Sequence, residues 1–280
     1  MDSAPAAVRS VTAIADDRAL CDVGRQARLE LTFAVRAGRT VLADAYAEPP
    51  FRIGRCLPDG DGVHLIVASS APGVFGGDTL QQTISVERGA RVRLTSQSAM
   101  QVHAAPDGSL ATLASTYRVA NGGHLHCEWD PLIPFPQARL EQRIQIDLAR
   151  GGTLFWSDAF MAGREACGER WRFGRLSHEL RLSLAGALIY LERYTLDPAT
   201  ATPSGRWVAD DACYFGTVLV AGSDVDRGAV AHLHNELAAM AGIRAAADRL
   251  DEQLLLVRLT ASSGVAFHAA RAFAGSWLTA

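Results

Sequence analysis

The chain contains no lysine, and all 27 of its basic residues are arginine. A P-loop uses a lysine to contact the terminal phosphates of a nucleotide, and Schiff-base enzymes use a lysine amine as nucleophile. Both chemistries are therefore excluded, and we expect any nucleotide hydrolysis that drives this protein's process to occur on another chain. Gly-x-Ser-x-Gly and His-Glu-x-x-His motifs are also absent, which disfavours the commonest hydrolase classes.

Long apolar runs and basic stripes are missing as well. The longest apolar runs, such as 218–221 and 254–257, are far shorter than the roughly 18 residues that a transmembrane helix needs. The formal net charge is −3 with scattered arginines, which disfavours nucleic-acid binding. The N-terminal segment carries Asp2, Asp16 and Asp17 and does not resemble a signal peptide. We therefore predict a cytoplasmic protein that binds neither membrane nor nucleic acid.

The five cysteines are odd in number, widely spaced and without a Cys-x-x-Cys pair. This pattern argues against a disulfide framework and against a structural zinc site. We expect most of them to be small buried apolar residues. Cys167 is the candidate exception, although a packing role is predicted there too.

Glycine-containing turns recur through the first two thirds of the chain, with alternating apolar residues between them. This period-2 alternation is typical of half-buried strands. The clearest examples are 29–35, 80–86, 144–148 and 176–184. So many strands joined by tight turns predict a mainly β fold of two packed layers of antiparallel sheet, either a sandwich or an irregular helicoidal stack. We expect a single domain over residues 1–280, with a loop at 197–205.

Two helices are predicted near the C-terminus. Apolar residues recur at helical spacing over 227–241, with Asp224 or Asp226 as candidate N-cap and Gly242 beyond the end. A second helix is predicted from 263 to 274, after a strand at 254–259.

The most informative segment is 71–80, Ala-Pro-Gly-Val-Phe-Gly-Gly-Asp-Thr-Leu. Three glycines and one proline predict a tight loop with positive φ angles that holds Asp78 in a definite place. In the simplest interpretation the glycines serve only the turn. However, this loop and the following Gly-Ala…Leu-Thr-Ser-Gln strand at 89–97 resemble the signature of the urease accessory protein UreD (UreH) family.

Two further segments extend the resemblance. The Glu-Trp-Asp-Pro-Leu-Ile-Pro-Phe run at 128–135 is similar to a second family signature. Asp158 and the Gly-Arg-Glu-Ala-Cys-Gly-Glu run at 163–169 are similar to a third. The three signatures follow the family's order over about residues 60–195. Two features depart from the pattern. At 100–104, Met-Gln-Val-His-Ala replaces a basic strand end and is neutral, and the Glu-Trp and Asp-Pro elements lie closer together than is usual in the family.

The resemblance implies an all-β architecture with two helices and a function without catalysis. A protein of this family is expected to be a urease maturation chaperone that binds apo-urease. It would act with a UreF-like partner and a UreG-like GTPase in GTP-dependent nickel insertion into the urease active site. No tightly bound cofactor is expected, and nickel would be an ion in transit.

The pentapeptide His124-Leu-His126-Cys-Glu128 carries the densest metal-ligand chemistry. In a strand, both histidines and Glu128 would project from one face, which suits nickel, zinc or iron. A solvated polar face is the competing interpretation, and the family signature includes only Glu128. The alternative function is therefore a cupin-like metalloenzyme that uses His124, His126 and Glu128.

The acids on the signature segments have two possible roles. Each could be a turn former, a cap, or the ion-pair partner of Arg164 or Arg170. Alternatively, they could line a polar passage, because buried carboxylates are costly unless they face a cation. The passage for transient nickel that we predict involves Asp78, Glu128, Asp158, Glu169, His124 and His126.

Overall fold

The computed structural model describes residues 24–201 and 210–276. The predictions made for Asp2, Asp16 and Asp17 lie outside these residues. Of the loop predicted at 197–205, the structure describes only residues 197–201, and these begin with a turn. In that turn the backbone amides of Thr200 and Ala201 donate to the carbonyl of Asp197.

Strands make up most of the described chain. The first nine are β1 (Gln26–Arg36), β2 (Arg39–Ala47), β3 (Phe51–Ile53), β4 (Leu57–Asp59), β5 (Gly62–Ser69), β6 (Thr79–Val86), β7 (Arg91–Ser96), β8 (Met100–Val102) and β9 (Ala111–Val119). The next nine are β10 (His124–Glu128), β11 (Leu132–Pro134), β12 (Arg139–Leu148), β13 (Thr153–Met161), β14 (Arg175–Leu184), β15 (Ala187–Leu196), β16 (Tyr214–Ala221), β17 (Ile243–Asp251) and β18 (Leu254–Ala261). The helices are α1 (Arg227–Ala239) and α2 (Gly264–Ser276).

The strands form two sheets. The first sheet has the order β15-β14-β12-β9-β6-β1-β2, and the second has the main order β17-β18-β16-β13-β10-β7-β5-β3. From β5 to β14 the longer strands alternate between the two sheets. Each new strand pairs in parallel with the preceding strand of its own sheet, as β9 does with β6 and β10 with β7. The result is a β-solenoid-like coil.

This arrangement confirms a mainly β fold of two layers with two C-terminal helices, but it corrects the predicted strand direction. The central strands are parallel, whereas antiparallel pairs occur toward the ends, for example β1–β2 and β14–β15. Period-2 alternation reports which face is buried and carries no information on direction. Several glycine turns, such as the one at Gly122, lead the chain from one sheet to the other and do not close hairpins.

The core fills the space between the two sheets. Its largest fully buried side chains include Trp156 and Tyr117, whose rings meet edge to face at a centroid distance of 4.9 Å. The alternation of β9, β12 and β14 directs every second residue into this space. Burying each large apolar side chain contributes about 1.5–3 kcal/mol, so the inter-sheet layer stabilises the coil.

The four described cysteines are free thiols. Cys127 and Cys213 are buried and Cys56 is half-buried, in line with the predicted packing role. Cys167 is exposed, so the packing role predicted for it is wrong. It lies in a 3₁₀ turn at Glu165–Cys167 that buries no residue.

The helices pack on the outer face of the second sheet. Asp226 is the N-cap of α1, because its carboxylate accepts a hydrogen bond of 2.7 Å from the backbone amide of Ala229. The helix ends two residues earlier than predicted, and Gly242 follows in the left-handed region with φ of 72°. Helix α2 brings Phe267 against Gly216, where a Cβ would come within 2.8 Å of the ring. Within the described ranges, neither helix is long and apolar enough to cross a membrane.

Candidate functional site

A cavity of about 570 Å³ lies at the end of the coil where β15 faces β16 and β18. Its wall on the second sheet carries three polar side chains from neighbouring strands. Asp158 of β13 is in register with Thr217 of β16, and Thr217 is in register with Arg258 of β18. The three residues therefore form one row across the sheet, on the face directed toward the first sheet.

The opposite wall carries a second polar row. His178 of β14 lies beside Gln142 of β12 and Tyr194 of β15. The His178 Nδ1 atom is 2.9 Å from the Gln142 side-chain oxygen, and its ring stacks on that of Tyr194 at 4.9 Å. Burial lowers the pKa of His178 to about 4, so its imidazole is neutral at physiological pH.

Glu192 of β15 connects the two walls. Its carboxylate accepts a hydrogen bond of 2.5 Å from the guanidinium of Arg258 and one of 3.0 Å from the Tyr190 hydroxyl. The Thr217 hydroxyl donates to the same carboxylate at 3.4 Å. Arg258 also donates to the Tyr190 oxygen at 2.9 Å. This network joins the edge strand of the first sheet to two strands of the second.

Asp158 has the most perturbed carboxyl group of the cavity. Burial, together with the nearby charge of Glu192, raises its pKa to about 7, although the positive charge of Arg258 opposes the shift. The group therefore exists in both protonation states near neutral pH. Perturbed carboxyl groups in cavities are typical of functional sites.

A second cavity of about 290 Å³ adjoins the first. Both are lined by Asp158, Gln142, Leu132 and Ala159, so Asp158 lies where they meet. The far side of the second cavity reaches the glycine-rich loop at 71–74. The interior of the coil therefore contains two adjoining spaces that connect the first signature loop with the β15 edge.

The signature acid Asp78 is almost fully buried at 2% exposure. It accepts hydrogen bonds from the backbone amides of Arg25 and Phe75, at 2.8 and 3.0 Å, and pairs with the Arg25 guanidinium at 2.9 Å. Asp78 thereby holds the glycine-rich loop against the start of β1. It is not among the described residues that line the two cavities.

Glu169 forms the ion pair that the sequence offered as one alternative. Its carboxylate accepts two hydrogen bonds from Arg164, at 2.5 and 2.7 Å. In the part of the chain that the structure describes, Glu169 also lies outside the lining of both cavities.

The three signature segments meet in a row of stacked groups on the surface. Phe75 stacks on His103 at 4.2 Å, and His103 contacts the edge of Phe135 at 4.8 Å. The Arg164 guanidinium lies 3.9 Å from the centre of the Phe135 ring. His103 belongs to the segment 100–104 that departs from the family pattern, so the departure falls inside this row.

His124, His126 and Glu128 lie on one face of β10, as predicted. The neighbouring His126 imidazole, 3.4 Å away, and the Arg93 guanidinium lower the pKa of Glu128 to about 2, and the Arg93 contact is 2.6 Å. Burial lowers the pKa of His124 to about 4, and its Nδ1 atom lies 2.6 Å from the Thr153 hydroxyl.

This face of β10 is the outer face of the second sheet. His126 stacks on Phe155, which belongs to the cluster beneath the helices, whereas Cys127 points into the inter-sheet core. Glu128 therefore lies on the opposite side of the sheet from Asp158. Within residues 24–201 and 210–276, no group of three or more His, Cys, Asp or Glu side chains could hold a metal ion. The metalloenzyme alternative gains no support from this geometry.

Sequence reasoning missed Glu192, His178 and Arg258. A signal for the first two was present in the strand alternation. Glu192 occupies the same phase of β15 as Tyr190 and Tyr194, and His178 occupies the apolar phase of β14. A charged or imidazole side chain on the inward phase of a strand is an indicator of a polar interior site.

Comparison with known proteins accounts for the signatures. A family model described as UreD urease accessory protein matches residues 25–279. The chain belongs to the UreD urease accessory protein family. Membership confirms the resemblance seen in the sequence and identifies the chain as an accessory protein of urease maturation, a chaperone for nickel insertion and not an enzyme. It also implies interaction with urease and with other accessory proteins.

Relatives named urease accessory protein UreD include three bacterial proteins. The one from Rhodopseudomonas palustris (strain HaA2) is 33% identical over 220 residues, which cover 78% of each chain. The one from Sorangium cellulosum (strain So ce56) is 37% identical over 63% of this chain and 56% of its own length. The one from Acetivibrio thermocellus is 30% identical over 65% of this chain and 70% of its own length.

Proposed function

We propose that the protein binds apo-urease in the cytoplasm and acts with a UreF-like partner and a UreG-like GTPase. Together they support GTP-dependent insertion of nickel into the urease active site. Membership of the UreD family supports this role. The absence of lysine agrees with GTP hydrolysis on the GTPase partner, because a P-loop needs that residue.

Within this role, Ni²⁺ is a cargo that passes between the two sheets. The observation that carries the proposal is the position of Asp158 at the junction of two adjoining cavities, with Glu192 on the wall of the larger one. Carboxylate and imidazole groups suit this metal. Because the pKa of Asp158 is about 7, its carboxyl exchanges a proton for a cation at little cost near neutral pH.

The other residues predicted for the nickel passage stay predictions. They are Asp78, Glu128, Glu169, His124 and His126. Asp78 and Glu169 are held in strong pairs with arginines, and Glu128 lies on the outer face of the second sheet. These contacts favour structural roles, which the same experiment can test one residue at a time.

The test is reconstituted urease activation with Ni²⁺, GTP, apo-urease and the two partners. Asp158→Asn and Glu192→Gln keep the shape of the side chains and remove their charge, so we expect activation to fall by about tenfold or more while assembly persists. Glu179→Gln is the matched control, because its carboxylate pairs with Arg193 on the outer face of the first sheet. This control should activate urease like the wild type.

A pull-down of the complex separates cargo transfer from assembly. Normal activation by both Asp158→Asn and Glu192→Gln would reject the inter-sheet route. Loss of assembly in Asp78→Asn or Glu169→Gln would assign those residues to folding. Activation that persists without the GTPase would contradict the proposed division of labour.

A further inference from the structure

The ion pair between Glu192 and Arg258 is asymmetric in its access to solvent. The Glu192 side chain is 5% exposed, whereas that of Arg258 is 48% exposed. Glu192 is fixed on the inward phase of β15 by bonds from Tyr190 and Thr217. Arg258 projects from β18 at the cavity wall, where about half of its side chain contacts solvent. Of the two partners, the guanidinium is therefore the group with direct access to solvent.

A buried carboxylate needs a positive partner, because an uncompensated charge in the interior is strongly unfavourable. The guanidinium of Arg258 fills that need at 2.5 Å. A divalent cation at the same carboxylate would come into direct conflict with it, since two positive groups would share one negative group. Guanidinium and metal are therefore alternative partners of Glu192.

We propose that Arg258 is a displaceable counter-ion, which holds Glu192 until Ni²⁺ takes its place and then turns toward solvent. This inference rests on the proposed inter-sheet route. It adds to that route a residue that weakens cation binding at Glu192, so that the cargo is accepted and released instead of being retained.

Departure of the guanidinium also frees other oxygen atoms. Arg258 donates to the Tyr190 hydroxyl at 2.9 Å and to the Thr217 hydroxyl at 3.3 Å. Both oxygens lie within hydrogen-bond reach of the Glu192 carboxylate, and Thr217 is in register with Asp158. One side-chain movement therefore leaves the Glu192 carboxylate and two hydroxyl oxygens, one on each sheet, without their guanidinium partner.

The test measures Ni²⁺ binding by equilibrium dialysis, using the protein in complex with its UreF-like partner. Arg258→Met removes the positive charge and keeps an unbranched apolar stem, so we expect Ni²⁺ to bind about tenfold or more tightly than to wild type. The double variant Arg258→Met/Glu192→Gln should lose this gain. Arg193→Met is the control. Arg193 lies on β15 beside Glu192 but pairs with Glu179 on the solvent-facing side, so its loss should leave the Ni²⁺ affinity unchanged.

Unchanged or weaker Ni²⁺ binding by Arg258→Met would overturn the inference, and Arg258→Gln serves for the same comparison if the first variant does not assemble.

A second measurement uses the wild-type complex alone. Added Ni²⁺ should increase the modification of Arg258 by phenylglyoxal, followed by mass spectrometry, and no increase contradicts displacement. If Asp158→Asn and Glu192→Gln impair activation while Arg258→Met binds Ni²⁺ like wild type, only the counter-ion role fails. If those amide variants activate urease normally, the route itself fails.

Discussion

Two carboxyl groups share the larger cavity, and their surroundings separate their behaviour. Glu192 has the guanidinium of Arg258 as a direct partner at 2.5 Å. Asp158 has no salt bridge among those found in the described residues, and burial therefore favours its neutral form. At the scale of single residues, one acid has a direct ion-pair partner, whereas the other carries a proton that it can exchange near neutral pH.

The raised pKa of Asp158 predicts a specific dependence of stability on pH. The pKa rises from 3.8 to about 7, so the native state keeps a proton that the unfolded chain releases. The wild type should therefore lose stability as pH rises from about 4 to about 7. Asp158→Asn has no titrating group at this position and should not lose this stability. Between pH 4 and pH 7, the free energy of unfolding of the variant should therefore rise relative to that of the wild type by on the order of 2–4 kcal/mol. Urea unfolding of both proteins at several pH values checks this, and a pH-independent difference would contradict it.

The sequence singled out Asp158 as a candidate site residue but could not identify its neighbours. Asp158 lies on a signature segment, whereas Glu192 and His178 lie on ordinary alternating strands. Their inward orientation depends on which phase of each strand faces the other sheet. That phase was visible, but the pairing of β13 with β16 and of β16 with β18 was not. The row Asp158–Thr217–Arg258 could therefore not be foreseen.

At the scale of elements, local chemistry fixed the helices better than the strand directions. Helix α1 begins where a capping residue precedes helical spacing, and those signals lie within a few residues of one another. Strand direction depends on contacts between segments far apart in the chain. The parallel pairing of β12 with β9 and β14 is an example. Alternation therefore predicted the two layers, whereas the antiparallel direction predicted with them was wrong for the central strands.

Asp226 and Asp224 provide a matched test of the α1 cap. Asp226→Ala removes the acceptor for the Ala229 amide, so we expect a loss of about 1 kcal/mol in the free energy of unfolding. Asp224→Ala removes the other candidate named from the sequence and should change stability by less than about 0.5 kcal/mol. Chemical denaturation of both variants measures the difference, and equal effects would show that the cap contributes little.

At the scale of the whole molecule, the coil ends at an edge strand that carries apolar side chains. In the described chain, β15 pairs only with β14. Leu188 and Leu191 on β15 are 47% and 45% exposed. An open edge with apolar residues promotes association between chains.

We therefore expect the isolated chain to be poorly soluble and co-expression with a UreF-like partner to raise its soluble yield. The double variant Leu188→Lys/Leu191→Lys should raise the soluble yield of the lone chain, because charged side chains on an edge strand oppose association. Val265→Lys, which changes an exposed side chain on α2, is the control. Size-exclusion chromatography and soluble yield measure both effects. A wild-type chain that is fully soluble and monomeric alone would contradict this expectation.

The alternation of strands between the two sheets has a consequence for how the chain folds. From β7 to β14, each long strand pairs with a strand that precedes it in the sequence, as β10 does with β7 and β13 with β10. A growing polypeptide therefore meets an already formed template each time another turn of the coil emerges from the ribosome. Assembly by nearest-neighbour addition limits the loop closure needed at each step. The larger cavity is completed only after β15, β16 and β18 have been synthesised, so its polar network forms after the coil up to β14.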